Sequence, residues 1–185
     1  MQRLATKFRW LFLFAGIMVA AYFFNWTFNG ALNQWGLMPR QLDSLTGIYT
    51  APFLHASLAH LINNLVGLFI FSSLLFVHSL RHYLWSSFFI ITLTGILVWC
   101  FGRPALHLGA SGWIFGLWSL SIATAWFDRR FINILIALVV IFFYGSMLWG
   151  VLPGDPAVSF ESHLFGAFSG VVFAFIRHRF FKNRQ

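Results

Sequence analysis

Ser111 lies between glycines in Gly109-Ala110-Ser111-Gly112, and it is the residue of this sequence best suited to covalent chemistry. A serine hydroxyl is a weak nucleophile at neutral pH, so catalysis requires a base that removes its proton and donors that hold the resulting oxyanion. Small residues beside a serine also occur where two transmembrane helices pack closely, and in that case Ser111 has no chemical role. The rest of the chain decides between these interpretations.

His163 is the candidate base. It precedes Gly166 by three residues and Gly170 by seven, so the imidazole and both glycines lie along one face of a helix. Glycines let two helices approach closely, and Gly112 gives the helix of Ser111 a similarly thin surface. If these surfaces meet, we expect His163 to lie next to Ser111 at the same depth.

A second polar cluster contains His55, His60 and Asn64. His60 and Asn64 are four residues apart, so they share a helical face, and both side chains can donate a hydrogen bond. His55 lies five residues before His60, off that face, and we place it in the segment that leads into the helix. A structural hydrogen bond is the alternative for each histidine.

The composition places these residues in a membrane protein. The 185 residues are 59% hydrophobic and 9% charged, with a mean hydropathy of +0.79, which is too apolar for a water-soluble domain of this size. We predict an all-α membrane protein with one domain, residues 1–185, and six spans of roughly 20 residues each. The single Cys100 has no assigned role. The predicted spans are about 10–28, 52–77, 83–101, 109–127, 131–151 and 158–176.

The net charge of +8 is distributed by membrane side rather than gathered into a nucleic-acid-binding surface. With six spans, only Arg40 and Arg103 fall on the side opposite the termini. The positive-inside rule therefore puts both termini in the cytoplasm, with the basic residues facing anionic lipid and no nucleic acid partner. The basic residues on the side of the termini are Arg3, Lys7, Arg9, Arg81, Arg129, Arg130, Arg177, Arg179, Lys182 and Arg184.

Three motifs together resemble the rhomboid family of intramembrane serine proteases. They are Gly109-Ala110-Ser111-Gly112 at the start of one span, His163-x-x-Gly166-x-x-x-Gly170 in the last, and His55-x-x-x-x-His60-x-x-x-Asn64 in the second. The resemblance covers essentially the whole chain and implies a minimal six-helix bundle of the bacterial type, in the bacterial inner membrane.

The resemblance also implies roles for individual residues. Ser111 would be the nucleophile and His163 the base, and His60, Asn64 and the backbone N–H of Ser111 would form the oxyanion hole. Phe115 matches the aromatic position on which the histidine ring stacks. The implied reaction is cleavage of transmembrane segments of single-span or polytopic membrane proteins near the outer membrane face, without a metal or other cofactor. His55, Gly109, Gly112, Gly166 and Gly170 would support the site.

Some positions depart from the family pattern. Many relatives carry a Trp-Arg pair where this chain has Thr46-Gly47, and a histidine that retains catalytic water where it has Ala51. We therefore expect another polar group, Ser57 or His107, to hold the water. Glu161 is two residues before His163, so we expect it to be an exposed charge rather than a third catalytic residue.

Two other functions remain open from the sequence. A rhomboid-like protein without catalytic activity would bind or escort membrane proteins, although such proteins usually lack the serine or the histidine. A haem or metal protein could use His55, His60 and His163 as ligands, but the sequence offers no carboxylate or thiol at convincing ligand spacing.

Overall fold

The computed structural model of the protein describes residues 4–156 and 158–181, and the regular structure in these ranges is helical. Short 3-10 turns cover Ala31–Trp35, Leu42–Ser44, Ala51–Phe53 and Gly145–Val151. The helices are α1 (Leu4–Thr27), α2 (Gly47–Thr50), α3 (Leu58–Leu75), α4 (Leu80–Phe101), α5 (Ser111–Phe127), α6 (Phe131–Tyr144) and α7 (Phe160–Phe181).

Four of the predicted spans differ from the helices that form. Helix α1 begins at Leu4 rather than at residue 10, and α7 ends at Phe181 rather than at residue 176. Helix α3 begins at Leu58 rather than at residue 52, because Leu54 is extended and the Ser57 hydroxyl caps the helix by accepting from the His60 N–H at 3.2 Å. Helix α6 ends at Tyr144, and its last predicted turns, Gly145–Val151, are a 3-10 segment.

Within the described residues, four segments are long and apolar enough to cross a membrane by length and composition: α1, α3, α4 and Phe131–Val151. Helix α5 has only 17 residues and packs against α3, α4, α6 and α7, so it is shielded from lipid by its neighbours. Helix α7 carries Glu161 and His163 in its first turn. The predicted all-helical membrane bundle is confirmed. Three residues used for the orientation, Arg3, Lys182 and Arg184, lie outside the described ranges.

Helices α5 and α7 make the most extensive helix contact of the bundle, and glycines form it. A Cβ atom on Gly166 would overlap the Gly112 carbonyl, and one on Gly170 would overlap the Gly116 carbonyl. Such backbone proximity is possible only without side chains, so the two thin surfaces expected from the sequence meet. The Ser119 hydroxyl adds a hydrogen bond to the Ala167 carbonyl at 2.7 Å.

The segment between α1 and α3 is anchored without the Trp-Arg pair of many relatives. Leu37 and His107 form an isolated antiparallel bridge, with N–H···O distances of 3.1 and 2.9 Å. The Arg40 guanidinium donates to the Gly102 carbonyl at 2.8 Å. The segment is thereby attached to the connection that leads into α5.

We predict that Gly166→Ala lowers the free energy of unfolding by about 1–3 kcal/mol, because the added methyl group forces α7 away from the Gly112 carbonyl. Gly16→Ala in α1 is the matched control, since its Cβ meets nothing within 4 Å. Unfolding in mixed detergent micelles measures both variants, and equal stability of the two would contradict the packing argument.

Candidate active site

Ser111 is the first residue of α5, and this helix start lacks a side-chain cap. The N-cap residue is Ala110, whereas Ser57 and Ser79 cap α3 and α4 with their hydroxyls. The first N–H groups of a helix have no intrahelical partner and carry partial positive charge. The uncapped start of α5 therefore offers backbone donors next to the Ser111 hydroxyl.

Ser111 lines a cavity of about 760 Å³ together with His163, His60 and Asn64. The four side chains come from three helices, α5, α7 and α3. One wall of the cavity is apolar and is formed by Val66, Gly67, Ile70 and Phe71 of α3, with Tyr144 and Met147 from α6 and the 3-10 segment after it.

The contacts of His163 determine which ring nitrogen is free. Its Nδ1 lies 2.9 Å from the Gly150 carbonyl, which can only accept, so Nδ1 carries the proton. In the neutral ring, Nε2 then holds the lone pair that a base requires. The ring stacks on Phe115 with centroids 4.1 Å apart and planes 6° apart. Among the described contacts no hydrogen bond joins Ser111 to His163.

Gly109 brings the His60 ring to the start of α5. Its φ of 105° is a left-handed conformation, and a Cβ there would lie 2.5 Å from the His60 ring. Asn64 Nδ2 donates to the His60 carbonyl at 2.9 Å, which uses one of its two hydrogens. His60 and Asn64 thus border the segment before Ser111, where an oxyanion would form.

His55 lies behind His60 and is only 1% exposed. The two rings are edge to face, with centroids 5.0 Å apart. Burial, reinforced by the neighbouring His60, lowers the pKa of His55 to about 4. His55 therefore stays neutral and supports the His60 ring from the protein side.

The expectation that Glu161 is exposed is wrong. The residue is 6% exposed, and its Oε1 lies 3.3 Å from Nε of Arg103. A carboxylate is buried only where a partner compensates its charge, and Arg103 is that partner. One signal was available in the sequence: Glu161 is an isolated acid at the start of an apolar segment, and Arg103 is one of two basic residues on that side.

His107 and Ser57 both line the cavity, as the water hypothesis requires. The two ring nitrogens of His107 are already engaged, however, Nδ1 with the Ser159 hydroxyl at 2.6 Å and Nε2 with the Arg103 carbonyl at 3.2 Å. Burial lowers the pKa of His107, so the ring is neutral, and Nε2 must donate to the carbonyl while Nδ1 accepts from Ser159. Ser57 is therefore the better candidate of the two for holding water.

In the part of the chain that the structure describes, no three His, Cys, Asp or Glu side chains lie close enough together to hold a metal ion.

We predict that the protein loses stability as the pH falls from about 6.5 towards 4. In this range the unfolded chain protonates His55, whereas the folded chain does not. The lowered pKa of His55 corresponds to a loss of about 3 kcal/mol in the free energy of unfolding. The loss is complete once the pH is below the pKa of His55 in the folded protein. Melting temperature against pH measures it, and His55→Gln should flatten the profile; an unchanged profile in that variant would contradict the assignment.

Comparison with known proteins places this geometry in a family. The family model of the Rhomboid domain matches residues 42–180, which include every residue of the candidate site. Rhomboid-like protein 11, chloroplastic, of Arabidopsis thaliana is 29% identical over 194 aligned positions, covering 97% of this chain and 68% of the relative.

Two mycobacterial relatives are more similar but uncharacterized. One of Mycobacterium tuberculosis is 37% identical over 150 residues, covering 76% of this chain, and one of Mycobacterium leprae is 34% identical over 155 residues, covering 79%. The chain spans only 62% and 61% of the lengths of these two proteins. Given the extent of the domain match, this chain belongs to the rhomboid family of integral membrane proteins.

Proposed function

We propose that the protein is an intramembrane serine endopeptidase in which Ser111 and His163 form a catalytic dyad. The observation that carries the proposal is the hydrogen bond from His163 Nδ1 to the Gly150 carbonyl, because it leaves Nε2 as a base in the cavity that contains Ser111. The uncapped start of α5 supplies the accompanying oxyanion donors.

In the first half of the reaction, His163 Nε2 removes the proton of the Ser111 hydroxyl as Oγ attacks the substrate carbonyl carbon. The carbonyl π electrons move to oxygen, and the Ser111 N–H, His60 and Asn64 donate to this oxyanion. The imidazolium keeps its hydrogen bond to Gly150 and gains a cation–π contribution from the stacked Phe115 ring.

In the second half, the tetrahedral intermediate collapses and the C–N bond breaks. His163 gives its proton to the leaving amine, and an acyl ester remains on Ser111. Water then enters, His163 removes one of its protons, and the hydroxide equivalent attacks the ester. Collapse releases the carboxylic acid and returns the proton to Ser111. Ser57, which lies at the cavity wall, is our candidate for holding this water.

The substrates that fit this site are transmembrane segments of other membrane proteins. Val66, Ile70 and Phe71 of α3 line the cavity together with Tyr144 at the end of α6, which supports sideways passage of an apolar segment past α6. A helix in lipid keeps its carbonyls hydrogen-bonded, so segments that Gly or Pro unwinds should be preferred, with a small residue before the cut.

We further propose a bacterial plasma membrane location with both termini in the cytoplasm. Arg81, Arg129 and Arg130 lie in or beside the turns at the end of the bundle remote from Ser111, which supports this orientation. Cleavage would then occur near the outer face.

We predict that the purified protein in liposomes cleaves a single-span test substrate with a Gly-Pro interruption faster than one with a continuous leucine helix. Ser111→Ala and His163→Ala should each lower the rate at least about a thousandfold, since the two residues act as one unit. Ser121→Ala is the matched control, because this α5 hydroxyl only donates to the Leu117 carbonyl within its own helix.

Cleavage that survives Ser111→Ala would refute the proposal. Wild-type protein that binds the substrate without cutting it would instead favour the non-catalytic escort function.

A further inference from the structure

Two connecting segments lead into the proposed dyad, and they meet each other. Residues 102–110 lead into Ser111, and residues 152–159 lead into the helix of His163. Arg103 and His107 from the first segment and Pro156, Val158 and Ser159 from the second line the same cavity. The relative position of the two segments therefore affects the relative position of the two catalytic side chains.

Arg103 connects the segments with one guanidinium group. Nη2 donates to the Pro156 carbonyl at 3.0 Å and to the Val158 carbonyl at 2.5 Å. Nε lies 3.3 Å from Glu161 Oε1, and the Arg103 backbone N–H donates to the same oxygen at 3.3 Å. The Nε contact is an ion pair without a hydrogen bond, and the hydrogen bond from Arg103 to the carboxylate comes from its backbone N–H. One guanidinium group thus contacts both carbonyls and the carboxylate.

Glu161 depends on this contact for its burial. Its Oε2 is buried and has no hydrogen-bond partner among the described residues, so Arg103 provides the compensation for the charge. An unpaired buried carboxylate is costly, and without Arg103 the first turn of α7 would rearrange to expose Glu161. His163 is two residues further along the same turn.

A second connection runs parallel to the first. The Ser159 hydroxyl donates to His107 Nδ1 at 2.6 Å and accepts from Ser162, whose hydroxyl lies 2.7 Å away and whose backbone N–H lies 3.2 Å away. The start of α7 is thus bound to residues 103–107 at two points. Ser159, before Phe160, bonds to His107, and Glu161, after Phe160, pairs with Arg103.

We propose that Arg103 and Glu161 are positioning residues that fix the first turn of α7, and with it His163, relative to Ser111. The inference rests on the proposed function, because it assigns the contact a purpose in aligning the dyad. Both side chains act through the backbone of residues 158–163 rather than on the reacting atoms.

Two measurements on the 185-residue chain in detergent test the proposal. They are the hydrogen exchange of the amides of residues 159–163 and the rate at which a fluorophosphonate labels Ser111. Arg103→Asn should speed the exchange and slow the labelling about ten- to a hundredfold, as expected for a misplaced base. Arg103→Lys keeps the positive charge but not the planar guanidinium group. Its exchange and labelling rates should therefore lie between those of the wild type and those of Arg103→Asn. Glu161→Gln should shift both readouts in the same direction as Arg103→Asn.

Arg40→Asn is the matched control. Arg40 also donates to backbone carbonyls, those of Cys100 and Gly102, so it bonds to the end of α4 and the residue after it rather than to α7. Its φ of 62° is a conformation that asparagine tolerates, so the replacement adds no strain. The labelling rate of Arg40→Asn should stay within about twofold of the wild-type rate. A surface substitution typically changes a free energy by about 0.5 kcal/mol, which corresponds to a rate change of this size.

In cleavage assays, Arg103→Asn should lower kcat by a larger factor than it raises KM, because its main effect is on the alignment of the base. If Arg103→Asn exchanges its amides and labels Ser111 at the same rates as the wild type, the inference is overturned and the proposed function stays intact. If the wild type is not labelled, the proposed function fails, and hydrogen exchange alone tests the positioning role. Faster exchange of the amides in Arg103→Asn than in Arg40→Asn would support that role. Equal exchange in the two variants would overturn it.

Discussion

The backbone contact between α5 and α7 is the interaction on which the rest of the structure depends. Gly166 lies against the Gly112 carbonyl and Gly170 against the Gly116 carbonyl, so the two helices are separated by little more than their own main chains. In lipid there is no hydrophobic force between apolar helices, and close van der Waals packing of this kind provides the association. The contact also brings the first turns of both helices, with Ser111 and His163, to one cavity.

Backbone carbonyls accept hydrogen bonds from several of the polar side chains at this end of the bundle. Gly150 fixes the tautomer of His163, the Arg103 carbonyl fixes that of His107, and the His60 carbonyl orients Asn64. A carbonyl can only accept, so the bonds to His163 and His107 decide which ring nitrogen carries the proton, and the bond to Asn64 decides which way its amide points. Such fixed dipoles orient these side chains before any ligand arrives.

The sequence was sufficient for the features that follow from residue type and spacing. Apolar run lengths predict the helices, and the glycines three and seven residues after His163 predict which face of α7 packs. Contacts from irregular segments could not be predicted, because no periodicity relates Gly150 to His163 or Arg103 to Glu161. Glu161 illustrates the reason. Its local context suggests an exposed charge, and it can be buried only because Arg103, which is remote in the sequence, compensates the charge of its carboxylate. The late start of α3 likewise depends on the Ser57 cap, a local signal within an apolar run.

The most direct test of the account is the mass of the intact protein after treatment with a fluorophosphonate. Displacement of fluoride by an activated serine leaves one phosphonyl group on the chain, and peptide mapping locates it. The account predicts a single adduct on Ser111 in the wild type, and none in Ser111→Ala or His163→Ala under the same conditions. An unmodified wild type, or an adduct on Ser111 that forms equally fast in His163→Ala, would contradict the claim that the packing of α5 on α7 builds a dyad.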